Sequence, residues 1–208
     1  MRRWLVWGML MLALLVVAWR SVGAQPAHAC APQVLAVQAA RSPDGARPAQ
    51  GWQNAALPDV WTRRWPDWGG DVWYRIDWER GCAGDGAMAE PVALGIDGIS
   101  MAGAVFSNAD LLWRDASLVE PLSRSWNMPR WWLLPASSLH AGVNTVWVRV
   151  AGVPELSPGL GVLRLGPAAQ VQARHARNLW RQRTLYEVTA GMAVAVGGLF
   201  LGVWLLRR

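Results

Sequence analysis

The chain has 208 residues, of which 53% are hydrophobic and 16 are tryptophan, and a formal net charge of +6 at pH 7. That length suits one domain with attachments and excludes two large ones. The basic surplus does not mark a nucleic-acid binder: residues 31–167 hold eleven arginines against thirteen acids, and the remaining arginines flank two apolar segments.

The first apolar segment, residues 4–19, follows Arg2-Arg3 and leads into the small-residue tail SVGAQPAHAC. A basic start, an apolar middle and Ala-x-Ala before a cut are the layout of a secretory signal peptide, and an uncleaved signal anchor shares it; residues 1–29 are assigned to one or the other. In an exported chain the two cysteines, Cys30 and Cys82, are expected to form a disulfide. Closing that loop would contribute ~4 kcal/mol by chain entropy.

PQVLAVQAA (32–40) predicts a first strand, and the Pro-, Gly- and Asp-rich stretch after it a loop. LPDVWTRRWPDWGGDVWYRIDW (57–78) carries five tryptophans. Trp61, Trp65 and Trp68 sit in a turn-rich lead-in and are expected to plug one end of a core. From Val72 the pattern has period two, with Val72, Tyr74, Ile76 and Trp78 inward and Trp73, Arg75 and Asp77 outward. PVALGI predicts a strand burying Val92, Leu94 and Ile96, and GAVFSNADLLW a hairpin. NTVWVRV buries Val146, Val148 and Val150 and turns Thr145, Trp147 and Arg149 the other way, and GVLRLG closes the set. Short strands with Pro- and Gly-rich joints predict an antiparallel β-sandwich over 30–167.

After Pro167 the character changes. AAQVQARHARNLWRQRTLYEV lacks Gly and Pro and predicts a stem helix over 168–184 that runs into an apolar segment, 185–206, long enough to span a membrane. With the sandwich outside, Arg174, Arg177, Arg181 and Arg183 oppose the positive-inside rule; a long translocated domain weakens that rule, and anionic headgroups could hold these arginines.

The segments at 57–78, VALGIDGISMAGAVFSNADLLW and SWNMPRWWLLPASSLHAGVNTVWVRV together resemble the galactose-binding-like jelly-roll domains. The resemblance covers about residues 50–167. It extends to the periplasmic sensor regions of bacterial membrane sensor histidine kinases and seven-transmembrane receptors, and to the sugar-binding sandwich of family 2 glycosidases. In those glycosidases a Trp-Tyr-Arg strand comes first and a Leu-x-x-Gly-x-Asn turn leads into the last core strand; Leu139 to Asn144 matches that turn. The resemblance implies a mainly β, galactose-binding-like jelly roll in the periplasm, held by the bacterial inner membrane. Implied partners are the membrane itself and a small molecule, a carbohydrate or a periplasmic protein, with a homodimer allowed and no cofactor. One departure matters: Asn108 is followed by Ala109, not Gly, which predicts a hairpin turn wider than two residues, running through Asp110.

Two groups of residues are candidates for ligand binding. Trp73, Arg75, Trp147 and Arg149 share an outward face where a ring or anion could stack, and where a covering loop or second protomer would fit equally. Trp113, Arg114, Trp126, Asn127 and Arg130 lie on the long excursion at 111–132, which is either a binding loop or a loop packed by its own tryptophans. His28, His140 and His175 are too scattered for a metal cluster or triad, so no metal, no catalytic residue and no enzyme are expected of this chain. The expected function is ligand or partner sensing for a membrane signal transducer. The alternative is a membrane-anchored carbohydrate-binding or assembly module without signalling output.

Overall fold

The computed structural model describes residues 31–81 and 91–207. The expectations for the signal segment and for a Cys30–Cys82 bond fall outside the described residues. Within them the chain forms β1 (Gln33–Ser42), β2 (Gln53–Asn54), β3 (Asp59–Val60), β4 (Gly70–Glu79), β5 (Val92–Ile96) and β6 (Ile99–Ser100). These are followed by β7 (Ala102–Ser107), β8 (Asp110–Arg114), β9 (Arg130–Leu133), β10 (Val143–Gly152), β11 (Gly159–Leu160) and β12 (Leu163–Pro167). A six-stranded sheet runs β2-β1-β4-β10-β7-β8, and two three-stranded sheets run β3-β11-β6 and β12-β5-β9. Strand pairing is antiparallel throughout these sheets. The mainly β, antiparallel sandwich read from the sequence is the observed architecture.

The core follows from strand periodicity. Val72, Tyr74, Ile76 and Trp78 of β4 and Val146, Val148 and Val150 of β10 are fully buried. They pack into one cluster with Leu94, Ile96, Ile99 and Leu160 from the smaller sheets. Side chains two residues apart share a face, so one apolar set per strand suffices to close the layer. Trp61 plugs an end as expected: it is fully buried, its indole donates to the Trp68 carbonyl at 3.1 Å, and Trp65 and Trp68 pack partly buried beside it.

The hairpin corrects one expectation. Ser107 pairs with Asp110, so the turn is the two-residue Asn108-Ala109 and does not run through Asp110. Only Asn108 needs the left-handed region (φ 52°), which Asn adopts more readily than most residues. Its side chain is also held: Nδ2 donates to Asn144 Oδ1 at 2.9 Å and to the Ser138 carbonyl at 2.7 Å, while Oδ1 accepts from the Thr145 amide at 2.9 Å. Asn144 in turn closes its own loop by accepting from the His140 amide at 2.8 Å. Two loops on different strands thus lock each other.

Beyond β12 come α1 (Ala168–Leu179), a π-helical turn at Trp180–Thr184, and α2 (Leu185–Leu206). Together they make one helix of 39 residues, long and apolar enough to cross a membrane. The π turn is an addition to the regular helix the sequence predicts. β5 is buried on both faces because α1 lies across it: a Cβ on Gly95 would come within 3.0 Å of Val171 Cγ1. Glycine there lets the stem sit directly on the sheet.

Candidate functional site

The first candidate surface is the outer face of the six-stranded sheet. Trp73 points outward as its strand phase requires, but it is not the non-core residue expected: it is only 5% exposed, because, of the alternatives for this face, a covering loop is the one present. The reason lies upstream, in residues 43–52, which fold over it. Its indole donates to the Gly45 carbonyl at 3.1 Å. Gly45 has φ +74°, and a Cβ there would come within 2.4 Å of the Arg149 guanidinium, so glycine is required. Arg47 then lies 5.4 Å from the Trp73 ring and 4.3 Å from the Trp147 ring, which Trp52 flanks at 5.6 Å.

The other two residues of this group have partners as well. Arg149 makes a bidentate pair with Asp71 at 2.8 and 2.9 Å, and Arg75 pairs with Asp77 at 2.9 Å. The structure therefore brings Trp73, Arg75, Trp147 and Arg149 together as expected, but the place a cationic ligand would take belongs to Arg47. Half-buried Trp147 should matter less than Trp73. Trp147→Ala is expected to cost about 2 kcal/mol, roughly half the loss of a fully enclosed tryptophan. Chemical unfolding of the two alanine variants side by side checks the order.

The second candidate is the excursion between β8 and β9. Its base is braced internally. Asp115 is buried and accepts from the Gly103 amide at 2.9 Å and from Ser125 Oγ at 2.9 Å, with Arg130 3.7 Å away. Arg130 also lies 4.1 Å from the Trp113 ring centroid, and Trp113 sits 6.0 Å from Trp132. Burial pushes the Arg130 guanidinium below its usual range, and the Asp115 carboxylate opposes that shift. Trp113 and Arg130 thus shape the loop, and Arg114 is exposed on β8.

What the loop presents is Trp126, 46% exposed, and Asn127. These two line a groove of about 400 Å³ together with Asp59, Ser100, Ser157 and Gln182. Both acids beside the groove already hold partners. Asp59 accepts from Tyr74 Oη at 2.7 Å and pairs with Arg64. Asp97 pairs with Arg164 at 2.5 Å and accepts from Asn178 at 2.6 Å. Burial, and next the Asp59 charge, push the Tyr74 phenol far above its usual range, so it stays a donor. The groove offers an aromatic face, hydroxyls and neutralised carboxylates. That suits binding a polar molecule with a flat or apolar part.

The groove is also tied to the stem. Asn127 Nδ2 donates to the Gln182 carbonyl, and Arg183 Nη1 lies 3.5 Å from Met128 Sδ. Nearby on α1, His175 stands 6.5 Å from Trp131, its Nδ1 buried without a hydrogen-bond partner among the described residues, and burial lowers its pKa. Among the described residues no group of three or more His, Cys, Asp or Glu is placed to hold a metal ion. Sequence reasoning found Trp126 and Asn127 but missed Asp59, Asp97 and Gln182. Each of those three comes from a different segment, and no pattern within any one segment marks them as a set.

No protein-family profile matches the chain, and no curated protein matches its sequence. Solved structures do show likeness. A glycosyl hydrolase family 2 member from Bacteroides cellulosilyticus DSM 14838 is 17% identical with a TM-score of 0.44, over 65% of this chain and 20% of that one. A beta-glucuronidase from Ruminococcus gnavus is 14% identical with a TM-score of 0.44, over 63% and 22%. A family 2 beta-galacturonidase from Eisenbergiella tayi, bound to galacturonate, is 14% identical with a TM-score of 0.46, over 65% and 24%. The chain thus spans between 20% and 24% of the length of these glycosidases.

Proposed function

We propose that the sandwich is the extracytoplasmic sensing domain of a membrane-bound signal transducer, with a histidine kinase as the output it serves. It binds its ligand in the groove beside Trp126 and acts by binding, not by catalysis. The observation that supports this reading is the contact of Asn127 and Met128 with Gln182 and Arg183. One wall of the groove and the last turn before the apolar helix are joined there. A π turn is a strained, short element often placed where a helix must adjust. An occupant that moves Trp126 and Asn127 shifts the balance between this turn and a regular α-helical one, and so rotates α2.

Insertions in the stem test the proposal. One residue added near Arg177 turns everything downstream by ~100°, and four restore the phase to within ~40°. Reporter output from the full-length protein is expected to rise and fall with insertion length, while the sandwich keeps its stability. Flat output for one to four residues would sink the sensor reading and leave the alternative, a membrane-anchored carbohydrate-binding or assembly module.

A further inference from the structure

The position of the groove relative to the apolar helix says where its occupant comes from. α2 has 22 residues, about 33 Å at 1.5 Å per residue, close to the ~30 Å hydrocarbon thickness of a bilayer. A helix that just spans has little freedom to slide, so Leu185 lies at the hydrocarbon boundary. Gln182 lines the groove and precedes Leu185 by three residues, which places it only about 5 Å further out. That distance is within the headgroup layer, ~5–7 Å deep on each side.

The surroundings match an interfacial position. Trp126 on the groove is 46% exposed, Trp180 54% and Tyr186 67%, and such rings gather where an apolar body meets a wet edge. Arg181 and Arg183 flank Gln182 in sequence and are both exposed, and Arg183 reaches the Met128 rim. Arg183 is paired with Glu187 at 2.8 Å, which leaves Arg181 as the cation without an ion pair, among the described residues, at the level of the lipid phosphates.

We infer that the groove takes the headgroup of an anionic phospholipid of the membrane that holds the chain, entering sideways from the bilayer surface. The inference rests on the membrane-spanning reading of α2. The phosphate lies toward Arg181. The hydroxylated end of the headgroup reaches Ser100, Ser157 and the Asp59 carboxylate, and the Trp126 ring covers the glycerol backbone.

The test uses the full chain in phosphatidylcholine vesicles containing phosphatidylglycerol with a photoreactive headgroup. Flotation with the vesicles is scored separately and reports the span alone. The expected result is crosslinking within residues 97–100, 126–128 and 157–162, several-fold weaker with a phosphatidylcholine probe of the same design. Arg181→Ser, at an exposed position, should lower that yield about fivefold, and Trp126→Ala should lower it as well. Trp147→Ala, remote from the groove, should not. Flotation with crosslinks confined to the helix, or equal yield from both lipids, would overturn the inference. So would complete competition by soluble glycerol phosphate, which would assign the groove to a free solute. Loss of flotation would overturn the spanning reading on which it rests.

Discussion

Replacing Trp78 by alanine is expected to lower stability by about 3–5 kcal/mol, the range for deleting a large aromatic from a closed core. Trp78 has no solvent exposure and closes the core near the end of β4, opposite Val34 on one neighbouring strand and Asn144 on the other. The void left by an indole cannot be filled by valines already held in β-strand rotamers. One detail sharpens the test: Trp78 Nε1 is buried with no acceptor among the described residues. Among the described residues nothing offsets the desolvation of that N–H, so Trp78→Phe removes a penalty along with the extra volume. It is expected to cost less than about 1.5 kcal/mol. Denaturant unfolding of the solubilised chain, read by circular dichroism, distinguishes the two variants. Similar losses for Phe and Ala would mean that the N–H has a partner and that volume is not the deciding quantity.

Asp115→Ala is expected to cost about 3 kcal/mol, by a different route. Its carboxylate serves the Gly103 amide, the Ser125 hydroxyl and the Arg130 guanidinium at once. Alanine leaves a buried strand amide without an acceptor and a largely buried cation without its counter-ion, and each loss costs more than the interaction contributes. Asp115→Asn keeps an acceptor and should cost about half as much. The loop should respond along with the fold. Protease cutting within residues 116–129 is expected to speed up in Asp115→Ala under conditions where the rest of the chain stays folded. Unchanged cutting would show that Trp113 and Trp132 brace the loop without help from the acid.

The elements that were legible in the sequence are those whose information is local. The alternation at 72–78 and 145–150 needs no knowledge of the partner strand, and neither does the loss of Gly and Pro after Pro167. Trp73 shows where local reading stops. Its strand position is outward, as its phase requires, yet it is buried because Gly45, 28 residues away, accepts from its indole. Ala93 and Gly95 are enclosed for a similar reason, since the helix that covers their face begins at Ala168. The groove is the extreme case: Asn127 meets Gln182 across 55 residues, and no spacing within either segment announces the other. Single tryptophans were identifiable as candidates, whereas the cavity they line depends on the tertiary arrangement.

The π-helical turn at Trp180–Thr184 has a consequence for how the stem is held. Such a turn holds one more residue than the α-helix can seat in the same register. Its amides bond to carbonyls five residues back instead of four, and turns of this kind gather at functional sites. Here α1 is clamped by Gly95 and Val171 below, and the apolar length of α2 fixes the other end. Between them, inside the turn, the Gln182 carbonyl accepts from Asn127 Nδ2. The irregular stretch of the 39-residue helix is therefore also the stretch that a side chain of the sandwich grips, so its widened backbone and its anchor are a single joint.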